Sequence, residues 1–546
     1  LYNLCAVEQE QPLARRYRQL REALERVMRQ QMMGTGLQAT DLAARINYVA
    51  TQFALDGREQ NQLHTFRLTS NDILNHRKEP SEQEFLRDLR AVAYAYRKIF
   101  HEDIPPKLYT LLPKQETTPA VKREKETRIR RIRVCFDYAD ESYLYVRPID
   151  VLEEEPVKVN YNKPGVNEEF KDTVEELWRY AQLNLLDVTV DDNGVYTPSF
   201  IVLEPDYLLD ISSLAECYKD YGSHPANYFL SRLVPIENAR PLLLGNIANL
   251  FLDEWIYAGE KEPDYTECMK KAFRQYPIEL AACEELRNPQ KEKEFAQDCR
   301  MHFEHIRETV QKTFLQPGYN LDKNDAVLEP SYICEALGIQ GRLDYMQRDM
   351  SSFIEMKSGK ADEYAMQGRL EPKENNRVQM LLYMAVLEYS MGQERRSMHP
   401  YLLYTRYPLL YPARASWAQV RRIINLRNCI VASEYGVQLH NHHPSFTQRL
   451  LAQINPSVLN QKRVAGAILG TVLEAFHLLF GERMEQLTPL ERTYFYTLYN
   501  FITKELYTSK SGDVNCESRT GASALWLSTL DEKRDAGEIF IRSYYC

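Results

Sequence analysis

One stretch constrains this chain more than any other: GIQGRLDYMQRDMSSFIEMKSGK, residues 338–360. Two short strand-like runs, 339–345 and 353–357, flank a polar turn, which is the pattern of paired strands. Side chains alternate across a strand, so Glu355 and Lys357 project from one face. If the two runs pair, Asp344 at the end of the first converges on that face as well. Two carboxylates brought together repel unless a cation lies between them, and hard oxygen ligands suit Mg²⁺ or Mn²⁺. With a lysine alongside to orient water or stabilise charge on phosphorus, this is equipment for metal-assisted phosphodiester hydrolysis. The plainer reading is a surface hairpin with a Glu355–Lys357 salt bridge.

A second signal follows in RVQMLLYMAVLEY, where Gln379 and Tyr383 share a helical face. Both carry polar tips on an otherwise apolar helix, positioned to hold the lysine or a DNA backbone. Around this segment the pattern alternates: helices near 239–258, 289–315, 375–391 and 416–434, strands at 339–346, 352–357 and 399–405. The expected core is therefore α/β, a mixed sheet flanked by helices. Upstream, LARRYRQLREALERVMRQQM has helical spacing, and Ser81 with Glu84 has the form of a capping box. Residues 103–127 read as a linker. RIRRIRVCFDY, SYLYVRPIDV and YTPSFIVL are rich in β-branched and aromatic residues, which predicts a small β-rich, barrel-like domain. Thr488, Pro489 and Glu491 mark a helix start in a helical C-terminal region. The expected segments are 1–127 helical, 128–205 β-rich, 206–435 catalytic core and 436–546 helical.

G-x-x-D, E-x-K and Q-x-x-x-Y together resemble the signature of RecB-like PD-(D/E)xK nucleases. The likeness is closest to the nuclease domain of the replication helicase/nuclease family that trims Okazaki-fragment flaps. It rests on GIQGRLD, IEMKSGK and RVQMLLY, continues through PYLLYTRYPLLYPARA, and covers roughly 206–435. The resemblance implies a restriction-endonuclease-like core, with Asp344 and Glu355 binding metal and Lys357 catalytic. Gln379 and Tyr383 would form the supporting motif, and Lys360 would touch DNA. It further implies a substrate of single-stranded or flapped DNA, in replication, repair or defence, and partnership with a helicase motor, fused or separate.

Three departures qualify that likeness. The family's upstream G-x-x-x-H is here GNIAN, placing Asn249 at the metal-binding histidine position. An amide carbonyl is acceptable to Mg²⁺ but a poorer ligand for a transition metal. Cys217 resembles the first ligand of the iron–sulfur cluster that many relatives carry, but the trailing cysteine triad is missing, so no cluster is expected. No G-x-x-x-x-G-K-[ST] phosphate loop occurs, so the sequence holds no ATP motor of its own.

Composition bears on partners and compartment. A net charge of −9 does not advertise a nucleic-acid binder, although a local basic groove is compatible with it. The basic run KREKETRIRRIRV reads first as linker and edge strand, and second as a phosphate contact. Arg421, Arg422 and Arg427 on one helix are candidate DNA contacts, and Tyr404, Tyr407 and Tyr411 are candidate base-stacking residues whose more ordinary role is packing. His440, His442 and His443 read as a solvated loop, and His302 and His305 as exposed positions on a charged helix. No apolar run is long enough to span a bilayer, and ten scattered cysteines fit a cytoplasmic protein. The rival expectation is a catalytically silent DNA-binding or scaffold module; an RNA nuclease is a third.

Overall fold

The structure, a computed structural model, describes residues 12–39, 41–114, 127–150, 155–234, 239–319, 321–364, 369–413, 416–440, 443–464, 473–514, 516 and 519–539. The chain is of mixed α/β class and forms two compact units. The first joins Leu1–Tyr207, Asn428–Arg449 and Leu487–Cys546; the second joins Leu208–Arg427 and Leu450–Gln486. The boundary expected at 206 lies beside this division. The one expected at 435 falls inside a helix, Trp417–Leu439, that contributes residues to both units. Among the described residues no helix is long and apolar enough to cross a membrane.

The first unit begins with four helices, α1 (Leu13–Met32), α2 (Leu42–Gln52), α3 (Gly57–Leu74) and α4 (Glu82–Phe100). The helical spacing of Tyr17, Leu20, Leu24 and Val27 turns one face of α1 inward. There Tyr17 lies against Phe66 and Phe85, and its hydroxyl donates to Asp88. The capping box expected at Ser81 does not form: Ser81 occupies the N-cap without a side-chain bond, and Glu84 accepts from Lys78 Nζ at 2.7 Å instead. Reciprocal boxes form at Asp56/Glu59 and at Thr488/Glu491.

Next come β1 (Arg128–Ala139), β2 (Tyr143–Pro148), β3 (Val157–Asn160), β4 (Gln182–Val190), β5 (Tyr196–Thr197) and β6 (Phe200–Leu203). β1 pairs with β2, β2 with β3, β3 with β5 in parallel, β5 with β4, and β4 back to β1. The ring closes into a small barrel with Leu144, Val146, Val159, Leu183 and Leu185 buried. β1 is therefore not the edge strand that its sequence suggested: it has a partner on both sides. Arg133, in the basic run, points its guanidinium at the Asp206 carboxylate (2.6 and 3.0 Å), so its charge serves the fold. Residues 122–126 of that run lie outside the described residues.

The second unit is built on a five-stranded mixed sheet in the order β7 (Ala326–Leu328), β8 (Tyr345–Gln347), β9 (Ser352–Lys357), β10 (His399–Tyr404), β11 (Leu409–Pro412). β9 and β10 are parallel and the other neighbours antiparallel. A parallel pair needs a crossover, and α7 (Glu374–Met391) lies within it. α5 (Arg240–Ile256) and α6 (Pro289–Glu308) share one hydrophobic core with Ile354, Met356, Tyr401 and Leu403 of the sheet.

Candidate active site

The run expected as one strand, 339–345, is broken in two. Ile339–Arg342 pairs with Ser331–Cys334 and with Leu209–Asp210, then the chain steps across and resumes as β8 in the main sheet. Asp344 sits at the step. Its Oδ2 accepts the Met356 N–H at 2.7 Å, and its carbonyl accepts the N–H of Glu329 at 3.1 Å. This ties the carboxylate directly to β9, between Glu355 and Lys357.

Alternation along β9 does what the sequence predicts. Ile354 and Met356 enter the core beneath α5 and α6. Lys357 Nζ lies 2.7 Å from Glu355 Oε1 and 2.9 Å from Gln379 Oε1 of α7. Tyr383, one turn on, donates to the Arg342 carbonyl rather than to the lysine. The glycine of G-x-x-D, Gly341, makes that approach possible: a Cβ there would meet the Tyr383 ring and hydroxyl at 3.1 Å. Glu355, Lys357 and Gln379 thus form one hydrogen-bonded cluster, with Asp344 held next to it through the Met356 N–H and Tyr383 bracing the strand that delivers Asp344.

The electrostatics are those of a site short of positive charge. Glu355 is 3% exposed, and its Oε2 has no hydrogen-bond partner among the described residues. Burial, and then the Asp344 charge, pushes its carboxyl up to about 8 despite Lys357. Burial also raises Asp344, against the pull of Lys357. For Lys357, burial works against the ammonium, but Glu355 and Asp344 outweigh it and hold the pKa above its ordinary value. An orphaned buried carboxylate oxygen beside a second carboxylate is the chemistry a hard cation satisfies. Among the described residues no three His, Cys, Asp or Glu side chains gather closely enough to form a metal site by themselves. Two carboxylates leave positions for water and phosphate oxygens, as Mg²⁺ sites commonly do.

Asn249 on α5 lines a cavity with Gly245, Asn246, Met356, Lys357, Ser358 and Gly359. Gly245 permits the close packing, since a Cβ would meet Ser358 Oγ at 3.3 Å. One turn beyond Asn249 is Asp253, which the sequence reading passed over. Burial, then the charges of Glu329 and Asp344, raise its carboxyl to about 6. Its i, i+4 spacing from Asn249 was the available signal.

The remaining candidates separate. Lys360 and Arg422 are exposed and Arg421 is half-buried. Arg427 is a correction: it is fully buried, its Nε donating to the Gly338 carbonyl at 3.3 Å, so it cannot reach a phosphate. Gly338 has φ +64°, and a Cβ there would lie 2.3 Å from the Arg427 guanidinium. Gly338→Ala should therefore destabilise the protein by ~2–3 kcal/mol, combining left-handed strain with displacement of a buried side chain. Chemical denaturation checks this; a change under ~0.5 kcal/mol, the size of an ordinary surface substitution, would refute it.

His302 is a second correction. It lies on the inner stripe Phe295, Cys299, His302, Phe303, Ile306 and is fully buried, and burial lowers its pKa to about 4. His305 is half-buried with Nδ1 3.0 Å from the Thr405 carbonyl. Tyr404 is core, its hydroxyl accepting from the Lys373 N–H and the Asn376 amide, while Tyr407 and Tyr411 are half-buried. His440 stacks on Phe446, His443 is exposed, and His442 lies outside the described residues. Cys217 is a buried thiol, pushed up to about 12 by burial. Comparison with known protein families and with curated proteins finds no match to this chain.

Proposed function

We propose that this chain is a metal-dependent DNA nuclease whose second unit is a RecB-like PD-(D/E)xK core. The observation that carries the reading is the buried cluster in which Lys357 bridges Glu355 and Gln379 while Glu355 Oε2 stays unpartnered beside Asp344. A surface salt bridge has no need to bury its carboxylate or to leave an oxygen unsatisfied.

Asp344 and Glu355 would hold the cation, with Asn249 facing the adjoining cavity. Such an ion polarises phosphate and lowers the pKa of an attacking water. The protein's own groups do the rest. Lys357 presents an ammonium donor to charge developing on the phosphate oxygens, Gln379 fixes its direction, and Tyr383 holds the strand that carries Asp344. Single-stranded or flapped DNA is the proposed substrate, and a separate or fused helicase motor the proposed partner.

End-labelled single-stranded and flapped DNA, with matched RNA, incubated with Mg²⁺, Mn²⁺ or EDTA tests this. The expected result is metal-dependent cleavage of DNA. DNA that is bound but left intact with every metal would replace the enzyme with a scaffold, and preferential cutting of RNA would overturn the substrate assignment.

A further inference from the structure

The barrel of the first unit carries a surface that the nuclease reading does not use. Alternation along β2 buries Leu144 and Val146 and turns Tyr143 and Tyr145 outward. The register places Tyr138 of β1 opposite Tyr145, and Tyr145 opposite Lys158 of β3. One row thus crosses three strands. The Tyr138 and Tyr145 rings stack at 4.3 Å with 12° between planes, and Tyr138 is 50% exposed. Lys158 is exposed, its ammonium 5.8 Å from the Tyr143 ring centroid and 6.0 Å from that of Tyr145. The nearby Asp140 carboxylate is already engaged, accepting from the Ser142 and Tyr143 N–H groups and the Tyr145 hydroxyl.

A cross-strand aromatic pair stabilises a sheet wherever it occurs. That role alone does not account for three tyrosines and a lysine gathered on the outer face of the first three strands of a closed five-stranded barrel. An exposed tyrosine at the end of a stacked pair, beside a cation, matches single-stranded nucleic acid: a base extends the stack without sequence preference, and the lysine meets the phosphates. One class of five-stranded Greek-key barrel binds oligonucleotides across the face of its second and third strands, so a face of this kind is physically able to do so. Duplex does not fit, because its base faces are already stacked on one another.

We propose that the row Tyr138–Tyr145–Lys158, with Tyr143, is a binding surface for single-stranded nucleic acid, separate from the Asp344/Glu355/Lys357 cluster. It stands whether or not that cluster cuts DNA.

The test is fluorescence anisotropy of the full chain with labelled oligo-dT in EDTA, where cleavage cannot intervene. Tyr138→Ala should weaken binding ~10-fold, the effect of losing one stacked base, while Tyr138→Phe keeps it. Lys158→Ala should lower the slope of log K against log salt by ~0.7, as for one phosphate contact on a single strand. Both positions are exposed, so folding is not at stake, and a thermal melt of each variant verifies that. Affinity and salt slope unchanged in both variants would overturn the proposal, as would duplex competing as well as oligo-dT. Binding through this face by a chain that never cuts DNA would overturn the nuclease reading alone.

Discussion

Lys357→Ala lowers the single-turnover cleavage rate by ~10²–10³-fold at saturating Mg²⁺, the usual cost of removing one preorganised donor from developing charge. The size follows from the lysine's surroundings. Its ammonium is held between Glu355 and Gln379 at 2.7 and 2.9 Å, so little reorganisation is needed when phosphate charge develops. The substitution also removes the cation that moderates repulsion between Asp344 and Glu355, so metal affinity should change too. A metal titration separates the two effects. A rate still depressed at saturating metal marks direct participation; a rate restored by metal marks an electrostatic role only. Lys357→Arg should not rescue, because a guanidinium cannot present one compact point charge between two oxygen acceptors. A Lys357→Ala rate within tenfold of wild type at saturating metal would remove the lysine from the chemistry.

Much of this site is legible in the sequence because it is local. Period-two alternation put Glu355 and Lys357 on one face, and i, i+4 spacing brought Gln379 and Tyr383 to a single helical face. What the pattern could not supply is the step at Asp344. The run 339–345 reads as one strand, but its halves belong to different sheets: the first pairs with Leu209–Asp210, which is remote in sequence, and the second continues into a strand that pairs with Ala326–Leu328. A barrel-like domain was legible from its strand-rich composition, but not the pair that closes it: the β1–β4 pairing joins Arg128 to Thr189, and periodicity carries no record of a partner that far away. Arg427 and His302 failed differently. Charge type suggested exposure, whereas their positions on the inner faces of helices decided burial. For His302 the apolar residues at i−7, i−3, i+1 and i+4 were there to be read.

The second large effect concerns stability rather than rate. Glu355→Gln should abolish metal-dependent activity and yet stabilise the metal-free protein above neutral pH. The Glu355 carboxyl is raised to about 8 in the folded chain, from 4.5 as an unperturbed group. Between those values the folded state keeps a proton that the unfolded state has released, so stability falls as pH rises through the window and levels off above about 8. The full penalty is roughly 5 kcal/mol at most, and the attraction of the Lys357 ammonium is already contained in the raised value. Glutamine keeps the shape and removes the ionisation, so the difference between wild-type and variant melting temperatures isolates this group from every other acid in the chain. Thermal melts in EDTA from pH 5 to 9 should show the curves converging at the acid end and the variant higher at the alkaline end. Adding Mg²⁺ or Mn²⁺ at alkaline pH should raise wild type and leave the variant unmoved, because a cation supplies the charge that the buried pair lacks. Parallel curves, or an equal response of both proteins to metal, would mean that Glu355 is not a buried ionised ligand, and the metal site would have to be sought elsewhere.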